Sequence, residues 1–138
     1  MIESVSAEQS SSDQRSLSDE QIAQVIELAM EAARTGATDE VLGFVGHGLP
    51  IDVQDPQGNT LLMLAAYAGH RETVASLLGH GADSNIANDR NQPPVAGALF
   101  KGEDEVVRLL IAAGADLDAG VPTAREAAMM FGREHLLD

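Results

Sequence analysis

Apolar residues recur every three or four positions along most of this 138-residue chain, which is the period of helices that bury one face. At the first such stretch, Ser18 and Gln21 have the spacing of an N-terminal capping box, and Leu17 has the spacing of a hydrophobic staple. Gly36 ends the stretch, as glycine commonly ends helices. The pattern therefore predicts one helix between the cap and Gly36, whose inward face carries Ile22, Val25, Ile26, Ala29 and Met30.

A second, shorter helix is predicted after Gly36, with Val41, Leu42 and Val45 facing inward and with its end at Gly48. The pair then repeats, because a shift of 33 residues superimposes the glycines and apolar residues of three consecutive segments. A helix pair of this length cannot bury its apolar face alone, so neighbouring copies are expected to stack on a shared core. The superimposed positions are Gly36, Gly69 and Gly102, then Val41, Val74 and Val107, and then Gly48, Gly81 and Gly114.

One copy of the repeat is well formed, and residues 58–89 read GNTLLMLAAYAGHRETVASLLGHGADSNIAND. Its 33-residue period, its LAA followed by Gly69 and His70, and its LL followed by GAD resemble an ankyrin repeat. Residues 88–119 resemble a more divergent copy, residues 22–54 a degenerate one, and the ending TAREAAMMFGREHLLD a shortened fourth. The resemblance implies an all-α ankyrin-repeat solenoid of stacked helix–turn–helix pairs, joined by short β-hairpin-like loops.

The chain is predicted to have two parts. Residues 1–16 are rich in Ser, Gln and acidic residues and poor in apolar ones, so we expect a disordered acidic tail there. Residues 17–138 are expected to form one ankyrin-repeat domain, which is long enough to bury a core. Its four repeats are predicted at approximately residues 18–54, 55–87, 88–120 and 121–138.

The helix starts depart from the ankyrin pattern, in which Thr-Pro-Leu-His commonly opens the first helix of a repeat. Thr60 is present in the second copy, but Met63 stands where that pattern has histidine. In the third copy, Pro93 and Pro94 stand in place of Thr-Pro. Because Pro93 offers no side-chain oxygen to cap the helix, we expect the start of that repeat to be held less firmly.

The amino-acid composition limits the kinds of partner that the protein is expected to bind. The chain has 8 Lys and Arg residues against 22 Asp and Glu, a formal net charge of −14, and Lys101 is its one lysine. Nucleic acid and anionic membranes bind clusters of basic side chains, so both are poor candidate partners. A protein with a basic surface is a better candidate, because opposite fields speed association. The other interpretation is that the negative charge only keeps the protein soluble.

The sequence also indicates the cellular compartment in which the protein is expected. Cysteine is absent, which excludes disulfides and thiolate sites and agrees with a reducing compartment. The longest apolar run is far shorter than the roughly 20 residues of a bilayer span. The first residues lack the basic start and apolar stretch of a secretory signal. We therefore expect a soluble, cytoplasmic protein.

Catalytic motifs are not found in the sequence. It contains no His-Glu-x-x-His pair, no phosphate-binding glycine loop and no Gly-x-Ser-x-Gly elbow. His70 starts a second helix, and His47 and His80 precede glycines at helix C-termini, where an imidazolium suits the helix dipole. The acidic run from Glu103 to Glu105 suits the dipole at a helix start. We therefore predict a protein that is not an enzyme, with no catalytic residues, cofactor or metal site.

Four aromatic residues are present, and two of them share one position of the repeat. Tyr67 and Phe100 are 33 residues apart, and each lies two positions before the glycine that ends an inner helix. The resemblance implies that this position and the next face the concave groove and vary with the partner. Phe44 is instead in phase with Leu77 and Leu110 and is predicted to be a core residue. The expected rows along the groove are Arg34, Tyr67, Phe100 and Met130, and beside them Thr35, Ala68, Lys101 and Phe131.

The hairpin tips are a second candidate contact surface, because they match the other variable contact positions of the family. The tip residues predicted to bind a partner are Gln54, Gln57, Asn59, Asp89, Arg90 and Gln92. The expected function is non-enzymatic binding of another protein through the concave face and these tips, as an inhibitor or adaptor of a basic partner. Two alternatives remain open: the aromatic rings only pack against neighbouring helices, or the concave face forms a homodimer. The oligomeric state is expected to be a monomer or a weak homodimer.

Overall fold

The computed structural model of the protein describes residues 17–137, so the tail predicted at residues 1–16 lies outside the described residues. Across residues 17–137 the architecture is all-α and contains no β-sheet. The helices are α1 (Asp19–Thr35), α2 (Thr38–Gly46), α3 (Leu61–Ala68), α4 (Arg71–Gly79), α5 (Pro94–Lys101), α6 (Asp104–Ala112), α7 (Ala124–Met130) and a 3-10 helix (Glu134–Leu137). The predicted all-α fold is confirmed.

The ends of the inner helices follow the sequence signals. The Ser18 hydroxyl accepts a hydrogen bond from the backbone N–H of Gln21 at 3.1 Å, and Gln21 Oε1 accepts one from the backbone N–H of Ser18 at 2.9 Å. Gly36, Gly69 and Gly102 end α1, α3 and α5 with φ angles of 77°, 80° and 79°, which are left-handed. Glycine adopts this conformation without the steric cost that a Cβ brings.

These glycines also leave room for a side chain of the next repeat. A Cβ on Gly36 would lie 2.6 Å from Nδ1 of His70. The same ring, through Nε2, donates a hydrogen bond to the carbonyl oxygen of Arg34 at 2.7 Å. His70 therefore links two repeats, and its observed role is structural. The equivalent contacts later in the chain are Glu103 with Gly69 and Arg133 with Gly102.

The helix pairs stack in chain order. The inner helices α1, α3, α5 and α7 contact one another in sequence, the outer helices α2, α4 and α6 do likewise, and the 3-10 helix packs on α6 and α7. Ala65, Ala66 and Ala98 on the inner helices are fully buried, and their small side chains allow close packing. The largest fully buried apolar side chains are Met30, Leu61, Leu62, Leu77, Leu99 and Leu110.

Asparagine and aspartate side chains hold the hairpin-like loops. Asp55 Oδ1 accepts hydrogen bonds from the backbone N–H groups of Gln57 and Asn59 at 2.9 and 2.8 Å. In the next loop, Asn88 Oδ1 accepts from two backbone N–H groups of its own loop. Asn88 Nδ2 also donates to Asn59 Oδ1 at 3.0 Å. Side chains of adjacent loops are therefore linked directly, and the loop tips have defined positions.

Some details refine or correct the sequence prediction. Helix α2 ends at Gly46, before the predicted Gly48, and His47 Nδ1 lies 2.7 Å from the carbonyl oxygen of Gly43 in the last turn. Phe44, predicted in the core, packs against the core cluster but is only partly buried, and it also lines an open depression at the N-terminal end of the solenoid. As predicted, Pro93 gives α5 no side-chain cap.

Candidate partner-binding surface

Three aromatic rings form a row at the C-terminal ends of successive inner helices. The rings of Tyr67 and Phe100 are nearly parallel, at 8°, with their centroids 6.2 Å apart. The ring of Phe131 meets that of Phe100 edge-on, at 73° and 5.6 Å. The exposed fractions of Tyr67, Phe100 and Phe131 are 41%, 58% and 39%. These three residues, the aromatic row, therefore present apolar surface from three repeats to solvent.

Gly97 explains where the Tyr67 ring lies. It stands 33 residues after Leu64, at the same position of the repeat. A Cβ on Gly97 would lie 3.2 Å from Cε of Met63 and from Cδ1 of Tyr67. Both side chains can therefore pack directly on the backbone of α5. Glycine inside a helix lowers helix stability by about 1 kcal/mol relative to alanine. At this position the loss in α5 accompanies the close approach of Tyr67.

Lys101 covers the Tyr67 ring from the end of α5. Its Nζ lies 5.1 Å from the ring centroid, which is within the range of a cation–π contact. The lysine is exposed, and such contacts at exposed sites contribute only about 0.5–1 kcal/mol. A partner side chain can therefore displace Lys101 from the ring at low cost.

The aromatic row and the hairpin tips together line a concavity of about 680 Å³, here called the groove. Its helical side is apolar and includes Met63, Tyr67, Gly97 and Phe100. The loop residues that line it are Pro56, Gln57, Asn59, Asn88, Asp89, Arg90, Gln92, Val121 and Pro122. An aromatic centre with a polar rim is the usual composition of a protein–protein interface.

Nine of the twelve residues predicted to bind a partner line this one groove, and three do not. The nine are Tyr67, Phe100, Met130, Phe131, Gln57, Asn59, Asp89, Arg90 and Gln92. Of the other three, Arg34 is paired with Glu31 Oε1 at 2.6 Å. Gln54 Nε2 donates to the carbonyl oxygen of Gly58 at 2.8 Å, and Lys101 lies over Tyr67. Two of the three predicted contacts are therefore engaged in polar bonds within the chain.

At the C-terminal end of the groove, Phe131 continues the aromatic row. The sequence pattern instead aligns Met130 with Phe100 and puts Phe131 in the neighbouring row. Helix α7 ends at Met130, and Phe131 is its C-cap residue with φ of −106°, where the first three repeats have left-handed glycine caps. The Phe131 ring lies edge-on against Phe100, and Met130 still lines the groove.

Several groove residues were not singled out from the sequence. Gly97 is the most informative of them, because its missing side chain shapes the floor beneath Tyr67. The 33-residue alignment contains a usable signal, since it sets a glycine inside one helix against Leu64 in the preceding one. The others are Met63, Asn88, Ala96, Val121, Pro122 and Ala127, which carry no comparable signal.

The described part of the chain holds no cluster of metal-ligating side chains. Within residues 17–137, no three His, Asp or Glu side chains are close enough together to hold a metal ion. None of the helices in this range combines the length and apolar character that crossing a membrane requires. Every buried side-chain N and O atom there has a hydrogen-bond partner; for example, Thr38 Oγ1 lies 2.7 Å from Thr73 Oγ1.

Stacked helix pairs with glycine-ended inner helices, and a groove beside the loops, define a helical repeat protein. A family model for ankyrin repeats, in three copies, matches residues 29–120. The chain therefore belongs to the ankyrin-repeat family. Ankyrin repeats are generally non-catalytic modules that bind other proteins. No curated protein sequence matches the chain.

Proposed function

We propose that the protein binds another protein through the groove and catalyses no reaction. The observation that carries this proposal is the aromatic row, three exposed rings from three successive repeats that line one concavity. Tyrosine, phenylalanine and methionine are enriched at interfaces, and tyrosine at their hot spots. Exposed apolar patches on soluble proteins commonly mark interaction sites.

The shape of the groove suits an elongated partner segment. Inner-helix residues line one side and loop residues the other, from Pro56 in one hairpin to Pro122 after α6. A loop, tail or helix of the partner can lie along this line and contact Tyr67, Phe100 and Phe131 in turn. Because the loop side chains are already hydrogen-bonded to one another, the groove is preorganised, which lowers the entropic cost of binding.

The charge favours a basic partner. The formal net charge of −14 produces a field that attracts positively charged proteins and speeds their association. A small acidic protein that binds and covers a basic surface can act as an inhibitor or an adaptor. We propose that this protein has one of these two roles in the cytoplasm. We also propose that the chain consists of a tail at residues 1–16 and one domain of four ankyrin repeats at residues 17–138.

The test compares partner capture by two variants of the full chain. The double variant Tyr67→Ala/Phe100→Ala removes two rings of the aromatic row. Met129→Ala is the matched control, since Met129 is 65% exposed but does not line the groove, whereas its neighbour Met130 does. Proteins captured from native lysate are identified by mass spectrometry, and the affinity of each identified partner is then measured with purified components.

Loss of binding in the double variant and full binding by the Met129→Ala control is the expected result. Binding should also weaken as salt rises, because ions screen the attraction between opposite charges. Equal binding by wild type and double variant would contradict the proposal. If the wild type alone dimerises and the double variant does not, the groove binds a second copy of the chain, which is the alternative function.

A further inference from the structure

The N-terminal end of the solenoid has an apolar face that no helix of residues 17–137 covers. Leu17, just before the cap of α1, lines it together with Ile22 and Val25 of α1. Phe44 of α2 and Leu49 of the following loop line it as well. Together they line an open depression of about 800 Å³, here called the end face. Leu17 and Ile22 are 51% and 41% exposed although the capping box fixes the start of α1.

The other end of the described chain is closed. The 3-10 helix packs on α6 and α7, and its Leu136 is buried. In a repeat solenoid each helix pair buries its apolar face on a neighbour, and terminal repeats need a polar outer face for solubility. The end face is instead apolar, so it has the composition of a stacking surface.

Gly43 lies within α2 and lines the end face. A Cβ at this position would meet nothing within 4 Å. Glycine in a helix interior costs about 1 kcal/mol relative to alanine. A missing side chain at an exposed helix surface allows a second helix to approach closely, which is the use of small residues at helix–helix contacts.

The titratable residues of the end face are arranged to complement a second copy. Glu40 and His47 both line it, two helical turns apart and so about 10 Å along α2, with Gly43 and Phe44 between them. If two α2 helices cross antiparallel about a two-fold axis near Gly43, Glu40 of each copy lies opposite His47 of the other. The interface is then self-complementary, as two-fold symmetry requires.

The orientation of His47, which His80 shares at the end of α4, is compatible with this pairing. Its Nδ1 lies 2.7 Å from the carbonyl oxygen of Gly43, and because a carbonyl only accepts, Nδ1 carries the proton. The ring is held by its own helix and leaves Nε2 available. In the protonated ring Nε2 also donates, so it can form a charge-assisted hydrogen bond with a carboxylate.

We propose that the end face binds a second copy of this chain, in a symmetric homodimer with α2 against α2. The apolar side chains of α1 and α2 supply the burial, Gly43 supplies the close approach, and the Glu40–His47 pairs set the antiparallel direction. This interface is separate from the groove and does not depend on the proposed function, because both copies keep their aromatic rows exposed.

The first experiment measures mass by sedimentation equilibrium on the full chain, from about 5 µM to about 500 µM. It is run at about pH 6, where imidazole groups take up protons, and at about 0.15 M salt, which shortens the range of repulsion between the acidic copies to about 8 Å. A reversible monomer–dimer equilibrium is expected. A strict monomer over the whole range overturns the proposal.

Charge exchange identifies the surface. Glu40→Lys and His47→Glu are each expected to weaken dimerisation about tenfold or more, because a symmetric interface contains every substitution twice. Mixing these two single variants is expected to restore dimers, since each new Lys then faces a new Glu and each remaining His faces a remaining Glu. The double variant Glu40→Lys/His47→Glu is expected to dimerise by itself. A mixture that stays monomeric overturns the proposed pairing.

Two further variants separate dimerisation from folding and from the groove. Gly43→Leu adds a side chain that favours helix and keeps the face apolar, so it should maintain the helical circular dichroism signal while weakening dimerisation. Tyr67→Ala/Phe100→Ala should leave the dimer unchanged. If the double aromatic variant is monomeric instead, the dimer forms through the groove and the end-face proposal is wrong.

Discussion

The rings of Tyr67 and Phe100 lie parallel, at 8°, with centroids 6.2 Å apart, although the two residues belong to different repeats. Each ring has one face or edge towards the other and a large part of its surface towards solvent. Their contact therefore contributes to the shape of the groove more than to the core, and this distinction can be measured.

We expect Tyr67→Ala/Phe100→Ala to lower the free energy of unfolding by less than about 2 kcal/mol, because exposed aromatic pairs contribute little beyond their limited burial. The matched control is Leu99→Ala, one position before Phe100 and fully buried. Removing a buried leucine costs about 2–5 kcal/mol. Urea unfolding followed by circular dichroism measures both. A double variant as unstable as Leu99→Ala would show that the rings belong to the core.

Gly97→Ala is expected to move the Tyr67 ring while keeping the free energy of unfolding within about 1 kcal/mol, since the gain in helix propensity offsets the tight contact. Tyr67 is the only tyrosine and tryptophan is absent, so tyrosine fluorescence and near-ultraviolet circular dichroism report this one ring. Gly79→Ala is the control, because a Cβ there meets nothing within 4 Å. Identical tyrosine spectra in wild type and Gly97→Ala would rule out the role given to Gly97.

Gly36→Ala and Gly46→Ala should change stability in opposite directions. At Gly36 a Cβ meets His70 Nδ1 at 2.6 Å and φ is 77°, so alanine is expected to destabilise by about 1–3 kcal/mol. At Gly46, in α2, a Cβ has open space, and alanine should stabilise by about 0.4–1 kcal/mol. Thermal and urea unfolding measure the difference. Equal effects would mean that neither the backbone conformation nor the His70 contact matters.

Asn88→Ala should destabilise the loops that line the groove. The substitution removes an acceptor from two backbone N–H groups and the donor to Asn59, and unsatisfied groups of this kind cost about 1–3 kcal/mol. Hydrogen exchange at the amides of Arg90 and Gln92 should become faster. Gln57→Ala, an exposed loop position on the same groove, is expected to leave both stability and exchange unchanged. Slow exchange in Asn88→Ala would contradict the role of this side chain.

Much of the fold could be predicted because its signals recur with one period. The glycine at 36 returns at 69 and 102 with the same left-handed backbone, and the 33-residue period alone is enough to locate the ends of α1, α3 and α5. The same phase put Tyr67 and Phe100 at one position, and the rings are indeed neighbours. Local caps such as Ser18 with Gln21 depend only on nearby residues, so they too are readable from sequence.

The features that the 33-residue period could not predict lie where the chain departs from that period. Phe131 extends the aromatic row from the C-cap of a shortened helix. Gly97 acts through a side chain that is missing, which a search for chemical groups overlooks. Phe44 shares its position with two buried leucines, yet it is only partly buried because a terminal repeat has a neighbour on only one side. Burial at the ends of a solenoid is set by what stacks there, and the sequence of one repeat does not contain that information.

Residues from three successive repeats line the groove, and the helices of each repeat pack mainly on those of the adjacent repeats. Repeat solenoids with such contacts can open from one end, repeat by repeat. A segment bound along Tyr67, Phe100 and Phe131 would hold all three repeats in one ligand complex, so opening the last repeat would require breaking part of that complex. By mass action, a partner bound at the proposed groove site would therefore protect the C-terminal repeat from unfolding and proteolysis.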